Sequence, residues 1–166
     1  MTNNDLLRRL RYALNLNGVT MAEIFALAGH EVRPVDVLKF LKKDDEHGFV
    51  ACDNRVMNIF LDGLITWKRG QQEQQADTLQ PVGLAFTNNL ILRKLRIALE
   101  LNDEAMIAIL KLADVDISKP QLSAMFRTAE HRNYKECGDQ FLRNFIRGLT
   151  LVSRNMALAA SGGKAE

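Results

Sequence analysis

Apolar residues recur along this chain at intervals of three and four. Leu6, Leu7, Leu10, Ala13 and Leu14 fall on one side of a helix, and Arg8 and Arg11 take its polar side. The spacing predicts a first helix over about residues 5–16. A second opens at Thr20, where TMAE has the form of a capping box, and stops at Gly29. A third starts near Pro34, a good first-turn residue, and carries Val35, Leu38 and Leu41. A fourth begins after Asp53 or Asn54 and carries Val56, Met57, Phe60, Leu64 and Trp67. No segment alternates as a half-buried strand does, so the predicted class is all-α.

The four elements then recur. Displaced by 85 positions, the chain aligns with itself without a gap. TNNDLLRRLRYALNLN, from Thr2, falls on TNNLILRKLRIALELN, from Thr87, and MAEIFALA, from Met21, on MIAILKLA, from Met106. Cys52 lands on Cys137, Phe60 on Phe145, Gly63 on Gly148 and Leu64 on Leu149. In the second copy Asn88 or Asn89 is the expected cap of the first helix, Asp103 of the second and Ser118, in SKPQ, of the third. Phe141, Leu142, Phe145, Leu149 and Val152 mark the fourth. The expected organisation is a first helical repeat over residues 1–70, a Gln-rich linker over 71–86, a second repeat over 87–152 and a flexible C-terminal tail over 153–166. The expected architecture is two tandem, pseudosymmetric four-helix repeats packed together. A glycine inside a helix costs about 1 kcal/mol against alanine. Gly63 and Gly148 therefore imply close helix–helix approach, and their equivalence suggests that the two fourth helices cross near a pseudo-twofold axis.

Composition narrows the class. With 166 residues, 47% of them hydrophobic and 25% charged, the chain can bury a core without staples. A net charge of +2 argues by itself for neither nucleic acid nor membrane. The start, MTNNDLLRRL, lacks a signal-peptide pattern, and charges interrupt every apolar run. Two cysteines without such a signal suggest reduced thiols in a cytoplasm.

The most chemically suggestive stretch is HRNYKECGDQFLRNF, from His131. Cys137, like Cys52, precedes a helix start, where amide dipoles lower a thiol pKa. With His131 and Asp139 it makes a candidate triad, but nothing pre-organises an oxyanion site. The histidines are scattered, CxxC and HExxH are missing, and no glycine-rich phosphate loop occurs, so neither metal nor cofactor is expected. Basic residues carry more. Residues 1–70 hold 10 Lys and Arg against 9 acids; from residue 87 onward the numbers are 12 and 9. Arg127, Arg132, Lys135, Arg143 and Arg147 cluster in sequence around Tyr134, whereas the first copy has Asn58 and Asp62 in place of Arg143 and Arg147. With His131 and Asp139 these are the candidate binding residues. A helix-turn-helix reading of MAEIFALAGHEVRPVDVLKF would present Arg33, Lys39, Lys42 and Lys43 to a groove. Against it, Phe25 stands where that motif wants a small residue.

EIFALAGHEV, LKKDDEHGF, LRKLRIALELND, ISKPQLSAMFR and above all HRNYKECGDQFLRNFIRGL resemble the YehS-like bacterial family, whose members carry two copies of a domain of unknown function. The resemblance covers about residues 2–150. It implies a small intracellular bacterial protein with a duplicated helical domain, and it carries over no activity, cofactor or catalytic residue. The leading expectation is a non-enzymatic binding or regulatory protein with a macromolecular partner, protein or nucleic acid. Nucleic-acid binding through the third helices or the basic second repeat is the alternative, and thiol chemistry at Cys137 comes third.

Overall fold

The computed structural model describes residues 1–70 and 85–162. They form eight helices and no strand, in two runs of four: α1 Asn3–Ala13, α2 Gly18–Leu27, α3 Pro34–Phe40 and α4 Asn54–Arg69, then α5 Asn88–Ala98, α6 Asp103–Leu112, α7 Lys119–Ala124 and α8 Asp139–Gly162. The chain is all-α and built as two repeats. Most of the expected Gln-rich linker, residues 71–84, and the last four residues lie outside the described residues.

Local chemistry explains where the helices start. Thr2 and Thr87 cap α1 and α5 through their side-chain oxygens. Asn17 and Asn102 cap α2 and α6. These displace the sequence-based choices of Asn88 or Asn89, Thr20 and Asp103. Asp53 caps α4 and Ser118 closes a full capping box on α7 with Gln121, both as expected. The first two helices of each copy stop by one device. The amides of Asn15, Gly29, Glu100 and Asp114, all at positive φ, bond back into the last turn, and the next amide bonds one residue further in. That is the Schellman pattern, here built on glycine once in four times.

The repeats share one continuous core. Leu7, Leu10, Met21, Ile24, Phe25, Met57 and Phe60 fill it from the first copy, and Leu92, Leu95, Met106, Leu110, Leu142 and Phe145 from the second. Its topology is crossed. α4 packs on α2 of its own copy and on α5 of the other, and α8 packs on α6 and on α1. Each first helix touches its own fourth helix far less. Exchanging the copies turns the α4–α5 interface into α8–α1, as a pseudo-twofold requires.

The glycines do not mark a crossing of α4 with α8. A Cβ at Gly63 would lie 2.8 Å from the Ile24 carbonyl carbon, and one at Gly148 2.9 Å from that of Ile109. The close approach is to the second helix of the same copy. α8 also continues through residues 153–162, where the sequence suggested the tail begins. Ser153 is part of its packing and donates to the Ala13 carbonyl at 2.7 Å.

Candidate functional site

HRNYKECGDQFLRNF is the loop between α7 and α8 and the entry to α8. Its organiser is a residue outside it. The buried side chain of Asn89 donates to the carbonyls of Met125 and Lys135, at 2.9 and 2.8 Å, and accepts from the Cys137 amide at 2.8 Å. Asn4 repeats this with Phe40, Val50 and Cys52, at 2.9 Å each. Both thiols are free and buried under these clasps. Burial pushes each up to about 12, and the neighbouring carboxylates of Asp53 and of Asp139 and Glu136 add to it. The helix-start effect expected to lower them is overridden by desolvation.

The remaining loop residues serve the loop or face solvent. His131 Nδ1 accepts from the Asn133 amide at 3.1 Å. Arg127 donates to the Asn133 carbonyl. The Lys135 amide bonds Ala124 and that of Tyr134 bonds His131. Arg132 is exposed. Asp139 accepts from the Met1 ammonium and from Asn88, and these two partners, the ammonium foremost, hold its carboxyl below the usual range.

Arg143 and Arg147 are placed differently. One turn apart on α8, they line a cleft of about 540 Å³ against α1, which contributes Arg8, Arg9 and Tyr12. Its lining holds four arginines and one carboxylate, Asp5. That carboxylate is taken by Arg8 at 2.6 Å, and Arg8 also donates to the Lys42 carbonyl. Arg93, the counterpart of Arg8, likewise donates to the Phe126 carbonyl, so this arginine pair tethers the end of each third helix. Arg147 has a loose contact of 3.9 Å with exposed Asp114. Arg9 and Arg143 make no hydrogen bond or ion pair among the described residues.

The other half of the pseudosymmetric molecule shows what is missing. There the counterparts of Arg9, Arg143 and Arg147 are Lys94, Asn58 and Asp62. Lys94 is only 3% exposed and donates to Asn58 at 2.7 Å and to the Asp62 carboxylate. One interface is sealed by an internal ion pair. Its twin carries three cations, and among the described residues the one ion pair they make is the loose 3.9 Å contact of Arg147 with Asp114. A second concavity beside α5 is also basic, but its arginines are engaged. Arg96 bonds Leu101 and Asp103 and lies over Phe126, Arg93 holds Phe126, and Arg69 pairs with Glu100.

The family described as "Protein of unknown function (DUF1456)" matches residues 3–70 and again 88–155, one match per repeat. The chain belongs to this family. It is 43% identical over 149 residues to "Uncharacterized protein YehS" of Escherichia coli (strain K12), covering 90% of this chain and 94% of that relative. No solved structure matches.

As in the sequence reading, family membership leaves chemistry to the residues. No group of His, Cys, Asp and Glu among the described residues is arranged to hold a metal, and no described helix is long and apolar enough to cross a membrane. The third helices are short, and of the four cations read as facing a groove all but Lys43 have partners within the chain. Arg33 and Lys39 both pair with Asp36, Lys42 donates to the His47 carbonyl, and Lys119 pairs with Glu104. Phe25 is fully buried against Phe60 and Phe40. Arg9 is the cleft residue that the sequence reading missed. Its only signal was the change of polarity between copies at Asn58/Arg143 and Asp62/Arg147, followed across to the helix that each pair faces.

Proposed function

We propose that this chain is a non-enzymatic binding protein whose anionic macromolecular partner docks at the cleft between α1 and α8. One observation carries the reading: Arg9, Arg143 and Arg147 have replaced a sealed Lys94–Asp62–Asn58 contact and have no internal counterion of comparable quality. Like charges held along a packed interface repel, and an external anion relieves that repulsion while gaining charge-assisted hydrogen bonds. Burial and protonation of both thiols, the use of His131 within the loop and the engagement of Asp139 by Met1 and Asn88 support a non-catalytic role. Nucleic acid is one such partner, reached through the second repeat's α8 rather than through the third helices, where Arg33, Lys39, Lys42 and Lys119 are engaged within the chain.

Binding of fluorescent heparin followed by anisotropy tests this. Affinity should fall steeply with salt as counterions are released. R143A/R147A should weaken binding at least about tenfold and lower the salt slope by roughly 2, one per lost contact. R127A/R132A, on the neighbouring loop, should change it little. Absence of binding at low salt, or an equal loss in both double variants, would sink the reading.

A further inference from the structure

We infer that the group the cleft takes is a phosphomonoester, which stands where the sealed half keeps the Asp62 carboxylate and so links the two repeats through Arg9 on one side and Arg143 and Arg147 on the other. This rests on the reading of the cleft as an anion site, not on the size of the partner, and adds the chemistry of the ligand and its structural effect. In the sealed half one ammonium, Lys94, is satisfied by one carboxylate and one amide oxygen. In the open half both acceptors have become guanidiniums, so three forked donors line the cleft where the sealed half has one cation and one carboxylate. A carboxylate offers two oxygens and one charge. A phosphomonoester offers three terminal oxygens and a charge of about −1.5 to −2 near neutral pH, which suits three guanidiniums better.

Size and lining extend the assignment beyond the phosphoryl group. At about 540 Å³ the cleft falls within the usual range of small-molecule sites, roughly 300–1,000 Å³, and is several times larger than one phosphoryl group needs. Interleaved with the arginines, α8 also lines it with uncharged polar groups. Gln140 and Asn144 are bonded to each other at 3.1 Å, and Thr150 lies further along the helix. Tyr12 stands at the cleft, 57% exposed, with Arg154 donating to its hydroxyl and lying over its ring. A flat aromatic face beside an arginine cluster accepts a base next to its phosphate. The ligand is therefore a phosphomonoester on a nucleoside-sized body, either a free nucleotide or the 5′-phosphorylated end of a strand.

The full-length chain tests this by thermal unfolding at constant ionic strength, with adenosine 5′-monophosphate or adenosine as probes. The monophosphate should raise the Tm by on the order of 5–10 °C at a hundred times its Kd, and adenosine should not. A 5′-phosphorylated decamer compared with its 5′-hydroxyl twin distinguishes the sources. A phosphate-dependent shift with either probe sustains the inference, and the larger one names the source. R9Q alters an exposed residue, so it should fold and lose the shift. R143N/R147D installs the first copy's residues opposite Arg9. It should raise the Tm without any ligand and abolish the response. Equal shifts with the monophosphate and adenosine, no shift with any phosphorylated probe, or a full response in R143N/R147D would overturn the inference. If heparin still binds in a cleft-dependent way while phosphorylated probes do nothing, the anion-binding reading stands and this inference falls; if neither binds, both fall.

Discussion

Asn89 ties together three backbone groups that no helix supplies with partners: the carbonyls of Met125 and Lys135 and the amide of Cys137. The first two belong to the end of α7 and the loop after it, the third to the entry of α8. One amide side chain thus fixes where the loop closes and where the long helix begins. A buried polar group left without its partner costs about 1–3 kcal/mol. Asn89→Ala strands three and should remove roughly 3–6 kcal/mol, a large part of the stability of a domain this size. Half-buried Asn88, one residue away, bonds only Asp139, and Asn88→Ala should cost about 1 kcal/mol or less. Denaturant unfolding of the two variants side by side checks the contrast, and equal losses would refute the role given to Asn89. The pair Asn4 and Asn89 was visible in the sequence as a repeat of TNN. In the second copy Asn88 or Asn89 is the expected cap because asparagine caps helices well, and the threonine before them does so too. Which of two capable neighbours caps and which is buried depends on the loop that returns from 36 to 48 residues away. No local pattern encodes that. The thiols show the same limit. Their place at a helix entry was legible, but the clasp that buries them and reverses the direction of their pKa shift was not.

At the level of the element, helical periodicity was enough to find all eight helices, because each must show an apolar stripe to the shared core. Starts and stops were less legible, since several residues near each end have the right chemistry. The stops give a direct test. Asp114 holds a positive φ of 60°, where its counterpart in the first copy is Gly29 at 80°. A residue with a Cβ is disfavoured there by about 1–2 kcal/mol, partly offset by the entropy a glycine loses on folding. Asp114→Gly should therefore stabilise the protein by up to about 1 kcal/mol. The opposite holds inside α8. At Gly148 an added methyl meets the backbone of Ile109, which cannot move without displacing α6. Gly148→Ala should destabilise by about 3 kcal/mol or more, well beyond the ordinary preference of helices for alanine over glycine. Thermal unfolding should move in opposite directions for the two variants. A Gly148→Ala protein as stable as the parent would mean that α6 and α8 are not in the contact described.

Across the whole molecule, duplication was plain in the sequence, but the pairing of helices between copies was not. The apolar stripes of α1 and α5 fit the fourth helix of either copy, and periodicity does not say which one they meet. The structure chooses the crossed arrangement, α4 on α5 and α8 on α1. A crossed, pseudo-twofold pair is what two separate copies of one repeat would form as an isologous dimer. The charges at the crossing then predict how each repeat behaves alone. Two molecules of residues 1–70, paired in this way, would set Arg9 of each against Asn58 and Asp62 of the other, the attractive contact that Lys94 makes in the intact chain. Two molecules of residues 85–166 would set Lys94 against Arg143 and Arg147, twice. Each contact changes from attraction to repulsion, and two contacts separate the dimers by roughly 2–4 kcal/mol. At about 1.4 kcal/mol per tenfold, that is roughly 30- to 1,000-fold in dissociation constant. Sedimentation equilibrium of the separate halves should find the first repeat as a helical dimer at concentrations where the second remains monomeric. The one-to-one complex, with one contact of each kind, should be intermediate in affinity between the two homodimers. The difference should shrink at high salt, because the contacts that set it are partly exposed. Asp62→Arg in the first repeat should abolish its self-association. If the second repeat dimerises as tightly as the first, the charge reversal at positions 58/143 and 62/147 does not control which surfaces close, and the open cleft would owe its shape to something other than its arginines.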